Sequence, residues 1–284
     1  MKVELKNVKV SYGDFSAIKN FSATFEIGKI YGLIGRNSAG KTSILSVLAN
    51  FRDKASGEVL VNGENLFENI KYAQDVNFIY QRNFAEEGTK VLKYIKNSTL
   101  FRPNFNMNYA IELLERFEVS PKVKMRKLSK GQQSAVSAVI GLASNSSITI
   151  YDEAYIGMDA PARELFYKEV LKNQEKSPKI VIMSTHLISE VEHLFNEVIM
   201  LHKGNIISKG SYEEVISEGV SVTGAILEID KFIKGKKVIS EKTLGNLKQV
   251  VLNEKIDDNE ISENLEIGRI SLNDLFIQKT GGER

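Results

Sequence analysis

Residues 35–43, GRNSAGKTS, directly follow the apolar run IYGLI and precede a helix-compatible stretch, TSILSVLANF. The segment matches the pattern G-x-x-x-x-G-K-[ST]. Its glycines let the backbone turn tightly, so that N–H groups and the start of the following helix face a phosphate. Lys41 then reaches the β and γ phosphates of a nucleotide, and the Thr42 hydroxyl can ligate Mg²⁺. A strand, loop and helix in that order direct the chain towards an α/β layered fold. Gly35, Arg36, Asn37, Ser38, Ala39, Gly40, Lys41, Thr42 and Ser43 are therefore candidate residues for binding a nucleoside triphosphate. The plain alternative is a glycine-rich surface turn, which the flanking strand and helix disfavour.

Composition sets wider limits. A chain of 284 residues with 42% hydrophobic and 26% charged residues has the balance of a globular protein, with room for a main core and a smaller companion. A formal net charge of +2 gives no strong electrostatic footprint for nucleic acid, so no nucleic acid is expected as a partner. The sequence has no cysteine, which removes disulfide, thiolate and cysteine-ligated metal chemistry. Its three histidines, His186, His193 and His202, do not resemble a metal cluster. The opening MKVELKNVKVSYG lacks the pattern of a secretory signal. The longest apolar stretch, AVSAVIGLA at 135–143, is about half of what a bilayer crossing needs.

Apolar strands alternate with helices along the chain. Residues 2–12, 22–34, 58–61 and 76–80 read as strands and 107–119 as a surface helix. Strands at 147–151 and 179–185 follow, then a helix at 187–196, a strand in EVIMLHKG, and a short helix started by Ser211. The alternation predicts a sheet packed between helices. Beyond about 219 the pattern changes to short units, GAILEIDKFI, KKVISEK, LKQVVLNE and SLNDLFIQ, separated by polar turns. The expected organisation is one large domain over 1–219 and a small accessory region over 220–284.

Hydrolysis needs more than a phosphate loop. ITIYDEA runs apolar to Tyr151 and then presents Asp152 and Glu153, which places both carboxylates at the carboxyl end of a strand. Asp152 suits the water shell of Mg²⁺, and Glu153 suits orientation or activation of a water. In KIVIMSTH, His186 follows a strand in the same way and is positioned to stabilise transferred charge near the γ phosphate. A helix cap or structural hydrogen bond is its competing role.

GRNSAGKT, Gln81 in FIYQR, LSKGQQ at 128–133, IYDEA, GMD and STH occur in the order and approximate spacing of the nucleotide-binding subunits of ABC transporters. The resemblance covers roughly residues 1–219. It implies a P-loop NTPase of the ABC ATPase type, with a RecA-like core, an antiparallel β subdomain, a helical signature subdomain and a small C-terminal extension. It further implies that two such domains meet head to tail. Each nucleotide then lies between the phosphate loop of one and the signature loop of the other, so Ser129, Gly131 and Gln132 would serve the partner's ATP. Lys130 stands where the family pattern most often has glycine.

Three roles follow from the resemblance alone. Gln81 would contact Mg²⁺ or water and link the site to a transport subunit, Asp159 would communicate between the two sites, and Tyr12 would stack on adenine. Their plain alternatives are an ordinary amide, a helix N-cap before APARELF and a packing aromatic. Ala154 departs from the proline usual after the glutamate. The implied function is ATP-hydrolysing motor work for a separate membrane-spanning permease, at the cytoplasmic face of the membrane, paired with a second ATP-binding subunit. The LSKGQ variant, FRPNFNMNYAIELLERF and SLNDLFIQKTG resemble stand-alone ATPase subunits of bacterial exporters of peptides, antimicrobial compounds, lipids or drugs. The other readings weighed are a non-transport ABC-type ATPase or a nucleotide-regulated scaffold in a soluble complex.

Overall fold

The computed structural model describes residues 1–67, 69–236, 238–252 and 264–281. From the N-terminus, β1 (Lys2–Tyr12) and β2 (Phe15–Glu26) form a hairpin, and β3 (Ile30–Ile34) leads into α1 (Lys41–Leu48). Next come β4 (Ser56–Val61), β5 (Glu64–Asn65), α2 (Ile70–Ala73) and β6 (Val76–Tyr80). Three helices, α3 (Val91–Thr99), α4 (Met107–Arg116) and α5 (Lys130–Ala143), precede β7 (Ile148–Asp152). Then follow α6 (Ala160–Lys176), β8 (Ile180–Thr185), α7 (Ile188–Val191), β9 (Glu197–His202), β10 (Asn205–Ser211) and α8 (Tyr212–Ile216). The remainder contains β11 (Val220–Ala225), α9 (Ile226–Phe232), β12 (Val238–Leu244), β13 (Leu247–Leu252), β14 (Glu266–Arg269) and α10 (Leu272–Lys279).

Ten strands form one mixed sheet in the order β5-β4-β1-β2-β10-β9-β3-β8-β7-β6. Its β5-β4-β1-β2 end is antiparallel, whereas β9, β3, β8, β7 and β6 run parallel. This is the expected RecA-like α/β core with an antiparallel β part, a helical part and a small C-terminal extension. Residues 22–34, however, are not one strand. A turn through Gly28, with φ of +87°, separates β2 from β3. Glycine tolerates that conformation at little cost, and it sends the two halves to different sheet neighbours. The helix over 107–119 stops at Arg116, and Glu118 turns back with φ of +54°. The helix over 187–196 is a single α-turn followed by a 3₁₀ turn at 192–194.

Period-two alternation sorts the parallel strands between two cores. Ile30, Ile34, Val181, Met183 and Tyr151 face α4, α5 and α6, while Tyr31, Leu33, Ile180, Ile182 and Ile150 face α1 and the antiparallel strands. Burial on both faces explains why these strands read as continuous apolar runs. The same register aligns their carboxyl ends: Ile34 pairs with Thr185, Ser184 with Asp152, and Asp152 with Tyr80. Whatever follows β3, β6, β7 and β8 therefore emerges at one sheet edge.

The helical part is tied to the core by a buried carboxylate. Glu169 on α6 accepts from the Tyr109 hydroxyl at 2.5 Å and pairs with Arg116 at 2.8 Å, both residues on α4. Burial alone would raise the Glu169 pKa, but the Tyr109 and Arg116 hydrogen bonds outweigh it and hold the group below the ordinary 4.5.

The four strands after Val220 form a second sheet, β12-β13-β11-β14. Val222, Val250 and Leu252 pack with Ile229 of α9 into a small core, whereas Val251, Ile270, Leu272, Leu275 and Phe276 join the main core. Helix α10 packs on α7 and α8, and the Leu272 N–H donates to Glu192 at 3.2 Å. The small sheet therefore has its own core on one side and the body on the other. Lys237 of KKVISEK, and Asn253 and Glu254 of LKQVVLNE, lie outside the described residues.

Candidate functional site

The loop between β3 and α1 wraps the Lys41 side chain. Gly40, at φ of +106°, delivers the chain into α1, and Ser38 sits at φ of +66°. Lys41 is buried, and its Nζ donates to the carbonyl of Gly35 at 2.6 Å and that of Arg36 at 3.3 Å. The same Nζ lies 3.3 Å from Glu153 Oε1. Thr42 Oγ1 donates to Asp152 Oδ2 at 2.7 Å, across the gap between β3 and β7.

Glu153 is the first residue beyond β7 and adopts a φ of +52°. That left-handed backbone costs a non-glycine residue on the order of 1–3 kcal/mol and persists only where its surroundings enforce it. Here Ser184, near the end of β8, supplies the enforcement: its hydroxyl accepts from the Glu153 N–H at 3.1 Å and donates to Asp152 Oδ1. Glu153 Oε1 also meets His186 Nδ1 at 2.9 Å. A carboxylate only accepts, so the ring proton on Nδ1 points at Glu153. Lysine, glutamate and histidine form one connected chain at the edge where three strands end.

Lys41, Thr42, Asp152 and Glu153 border a cavity of about 390 Å³ whose lining also includes Tyr12, Phe15, Arg36, Asn37, Ser38, Gly40, Ser43 and Gln81. The Tyr12 hydroxyl is 3.2 Å from Ser43 Oγ, and the Arg52 guanidinium stacks 4.1 Å from the centre of the Tyr12 ring. His186 reaches the cavity through Glu153. Gly35 and Ala39 stand within the loop's own framework: the Gly35 carbonyl holds Lys41, and the Ala39 carbonyl accepts from Gly204.

The LSKGQQ stretch stands apart from this cavity. Ser129 caps α5, accepting from the Gln132 N–H at 3.2 Å, while Gln132 Oε1 accepts from the Ser129 N–H at 3.2 Å. The signature hydroxyl and amide thus complete a capping box. At Gly131 an added Cβ would sit 2.5 Å from the Gly157 carbonyl oxygen, so this glycine permits close passage of two backbones. Ser134 Oγ reinforces that seam by donating to the Ile156 carbonyl at 2.8 Å. Asp159 caps α6 by accepting from the Ala162 N–H at 2.9 Å. The plain reading of Asp159 as an N-cap therefore holds as a structural role.

Sequence reasoning missed Ser184, Phe15 and Arg52. Ser184 stands two residues before His186 in STH, yet only the β7–β8 register shows which side chains it bridges. Arg52 has no sequence signal linking it to a tyrosine 40 positions earlier.

The donors suit a Mg-nucleotide. A hydroxyl and a carboxylate at 2.7 Å are hard oxygen ligands beside a phosphate-binding turn. Mg²⁺ is ordinarily held by one or two carboxylates together with substrate phosphates and water. Among the described residues no group of three histidine or acidic side chains could hold a metal unaided.

Comparison with known proteins gives one consistent result. The ABC transporter family model matches residues 18–155, a span that includes the phosphate loop, the signature and the Asp152–Glu153 pair. An uncharacterized ABC transporter ATP-binding protein of Methanocaldococcus jannaschii is 28% identical over 280 residues, covering 98% of this chain and 99% of its own. The ABC transporter ATP-binding protein YtrB of Bacillus subtilis is 23% identical over 290 residues, covering 99% of each. In fold, a solved structure of an ATP-binding subunit of an ABC transporter matches with a TM-score of 0.69 at 19% identity, over 76% of this chain and 92% of that one. In motif order, sequence and fold, the chain is therefore similar to the ATP-hydrolysing ATP-binding subunits of ABC transporters.

Proposed function

We propose that the chain binds Mg-ATP between its own phosphate loop and the signature loop of a second subunit, and that hydrolysis there drives export through a separate membrane-spanning permease. The observation that carries this reading is the chain of contacts from Lys41 through Glu153 to His186, beside the Thr42–Asp152 pair. Triphosphate oxygens would draw Lys41 Nζ away from Glu153, freeing that carboxylate to accept a proton from an attacking water. His186 would hold Glu153 in place. Thr42, Asp152 and Gln81 would hold Mg²⁺, whose part is to neutralise phosphate charge. Tyr12 would take adenine on its ring, with Arg52 on the π system.

Ser129 and Gly131 would meet the partner's γ phosphate at the start of α5, where helix N–H groups favour an anion. Asp159, seamed to that helix through Gly157, would report one site to the other. Closure around ATP and opening after hydrolysis would then be transmitted to the permease. We assign residues 1–219 to the ATP-binding domain and 220–284 to an accessory region that braces it. No helix among the described residues is long and apolar enough to cross a membrane, so the reading places the chain at the cytoplasmic face through its partner. Peptides or antimicrobial compounds are the proposed cargo, on the strength of the LSKGQ variant and the flanking segments.

Mixing two inactive variants tests the shared site. Lys41→Met lacks a working phosphate loop and Ser129→Arg lacks a working signature, but a mixed pair retains one intact composite site. ATPase activity that appears only on mixing supports the proposal. An Ser129→Arg variant that hydrolyses ATP at the wild-type rate without a partner contradicts it.

A further inference from the structure

Beyond the nucleotide cavity, a small cavity of about 70 Å³ lies where β6, α3 and α5 meet, lined in part by Tyr80, Arg82, Tyr94, Ser98, Arg102 and Ser137. Arg102 donates Nε and Nη2 to Asn77 Oδ1 at 3.0 and 2.6 Å, and Nη1 to the Ser98 carbonyl at 3.4 Å. Arg82 donates to the Tyr94 hydroxyl at 3.3 Å and stacks 4.7 Å from the centre of the Tyr80 ring. All of these partners are neutral. Among the described residues neither arginine has a carboxylate within ion-pair distance.

The imbalance extends outward. A groove of about 470 Å³ shares Tyr80, Arg82 and Ser137 with the cavity and adds Lys130. Among the described residues no aspartate or glutamate lines either space. Burial, and then the like charge of Arg82, lowers the Arg102 pKa from its ordinary value. The half-buried Arg102 guanidinium and the exposed Arg82 guanidinium line one cavity and repel one another, and an anion between them removes that repulsion. The guanidinium fork matches the spacing of carboxylate or phosphate oxygens. The Tyr94 hydroxyl accepts from Arg82 and so keeps its own proton to donate.

We propose that this cavity is an oxyanion site, in which Arg82 and Arg102 together bind a compact anion of the phosphate or carboxylate class. The anion arrives either as a free ion or as an acidic side chain of another chain seated along the adjoining groove. Arg82 directly follows Gln81, so an occupied site fastens the segment carrying Gln81 to α3 and links anion binding to the nucleotide cavity.

Calorimetric titration of the full chain with inorganic phosphate and, separately, with N-acetylglutamate α-amide tests the site. Lys41→Met is included because the phosphate loop also binds phosphate. The expected result is saturable binding of at least one probe that survives Lys41→Met and weakens at least about tenfold in Arg82→Gln and in Arg102→Gln. Binding of phosphate alone identifies a free ion as the source, and binding of the glutamate derivative identifies a presented carboxylate. Arg82 is exposed and contacts only neutral Tyr94 and Tyr80 among the described residues, so Arg82→Gln remains decisive if Arg102→Gln, which strands the buried Asn77, fails to fold. Absence of binding by both probes, or binding untouched by Arg82→Gln, overturns the proposal.

Discussion

The phosphate loop and the signature loop both sit at helix starts, yet they are built in opposite ways. Around the phosphate loop every reactive side chain is held by another from a distant strand: Lys41 by Glu153, Thr42 by Asp152, and both carboxylate positions by Ser184. Around the signature, Ser129 and Gln132 satisfy each other, with Ser129 and Lys130 exposed and Gln132 half-buried. One half of the chemistry is prebuilt within the chain. The other is a helix cap that, on the proposed reading, exchanges its local hydrogen bonds for a phosphate. A single subunit with this division has a phosphate-loop cavity of its own, while on the proposed reading its signature finds its ligand on another subunit.

Substitutions can break that contrast. The largest effect is expected from Glu153→Gln, which keeps the shape but removes the proposed proton acceptor. ATP turnover should fall about 10²- to 10⁴-fold while nucleotide affinity stays near wild type, as read by steady-state ATPase and a fluorescent-nucleotide titration. Ser129→Arg should lower turnover by tenfold or more with unchanged nucleotide binding by the single chain; a loss of binding there would erase the distinction between the halves.

Ser184→Ala strips a partner from buried Asp152 and from the Glu153 N–H. It should cost about 1–3 kcal/mol in urea unfolding and lower turnover as well, because Glu153 loses the contact that holds its positive φ. Glu169→Gln should have the smallest effect, on the order of 1 kcal/mol at neutral pH. Its sign with pH follows from a carboxylate held below its ordinary value in the folded chain. The stabilisation is present above about pH 4.5 and is lost as pH falls through the folded value. The stability gap between wild type and Glu169→Gln should therefore narrow on acidification. A gap that widens would contradict the Tyr109–Glu169–Arg116 network as drawn.

Much of the phosphate-loop half was legible in the sequence because strand, turn and helix are contiguous, and because the apolar strands that end in Asp152 and Thr185 announce their own termini. Ser184 was not legible, since its importance depends on β7 and β8 pairing in register. Nor was the reason for Gly131, whose missing side chain admits the Gly157 backbone from 26 residues away in the chain. The division of residues 22–34 was missed because the alternating apolar positions Ala23, Phe25 and Ile27 are separated from the apolar IYGLI by only Gly28 and Lys29. In the C-terminal region, Val250, Val251 and Leu252 read as one apolar run, but the run does not say that Val251 faces the main core while its neighbours face α9.

The central claim is that the two dissimilar helix starts meet across a pair of subunits. Oligomeric mass by light scattering, with Glu153→Gln to retain ATP and Ser129→Arg added as the interface control, tests it most directly. The account predicts a dimer that forms only with Mg-ATP and is absent when Ser129→Arg is present. A chain that binds ATP tightly yet stays monomeric in both variants would contradict pairing of this chain with itself.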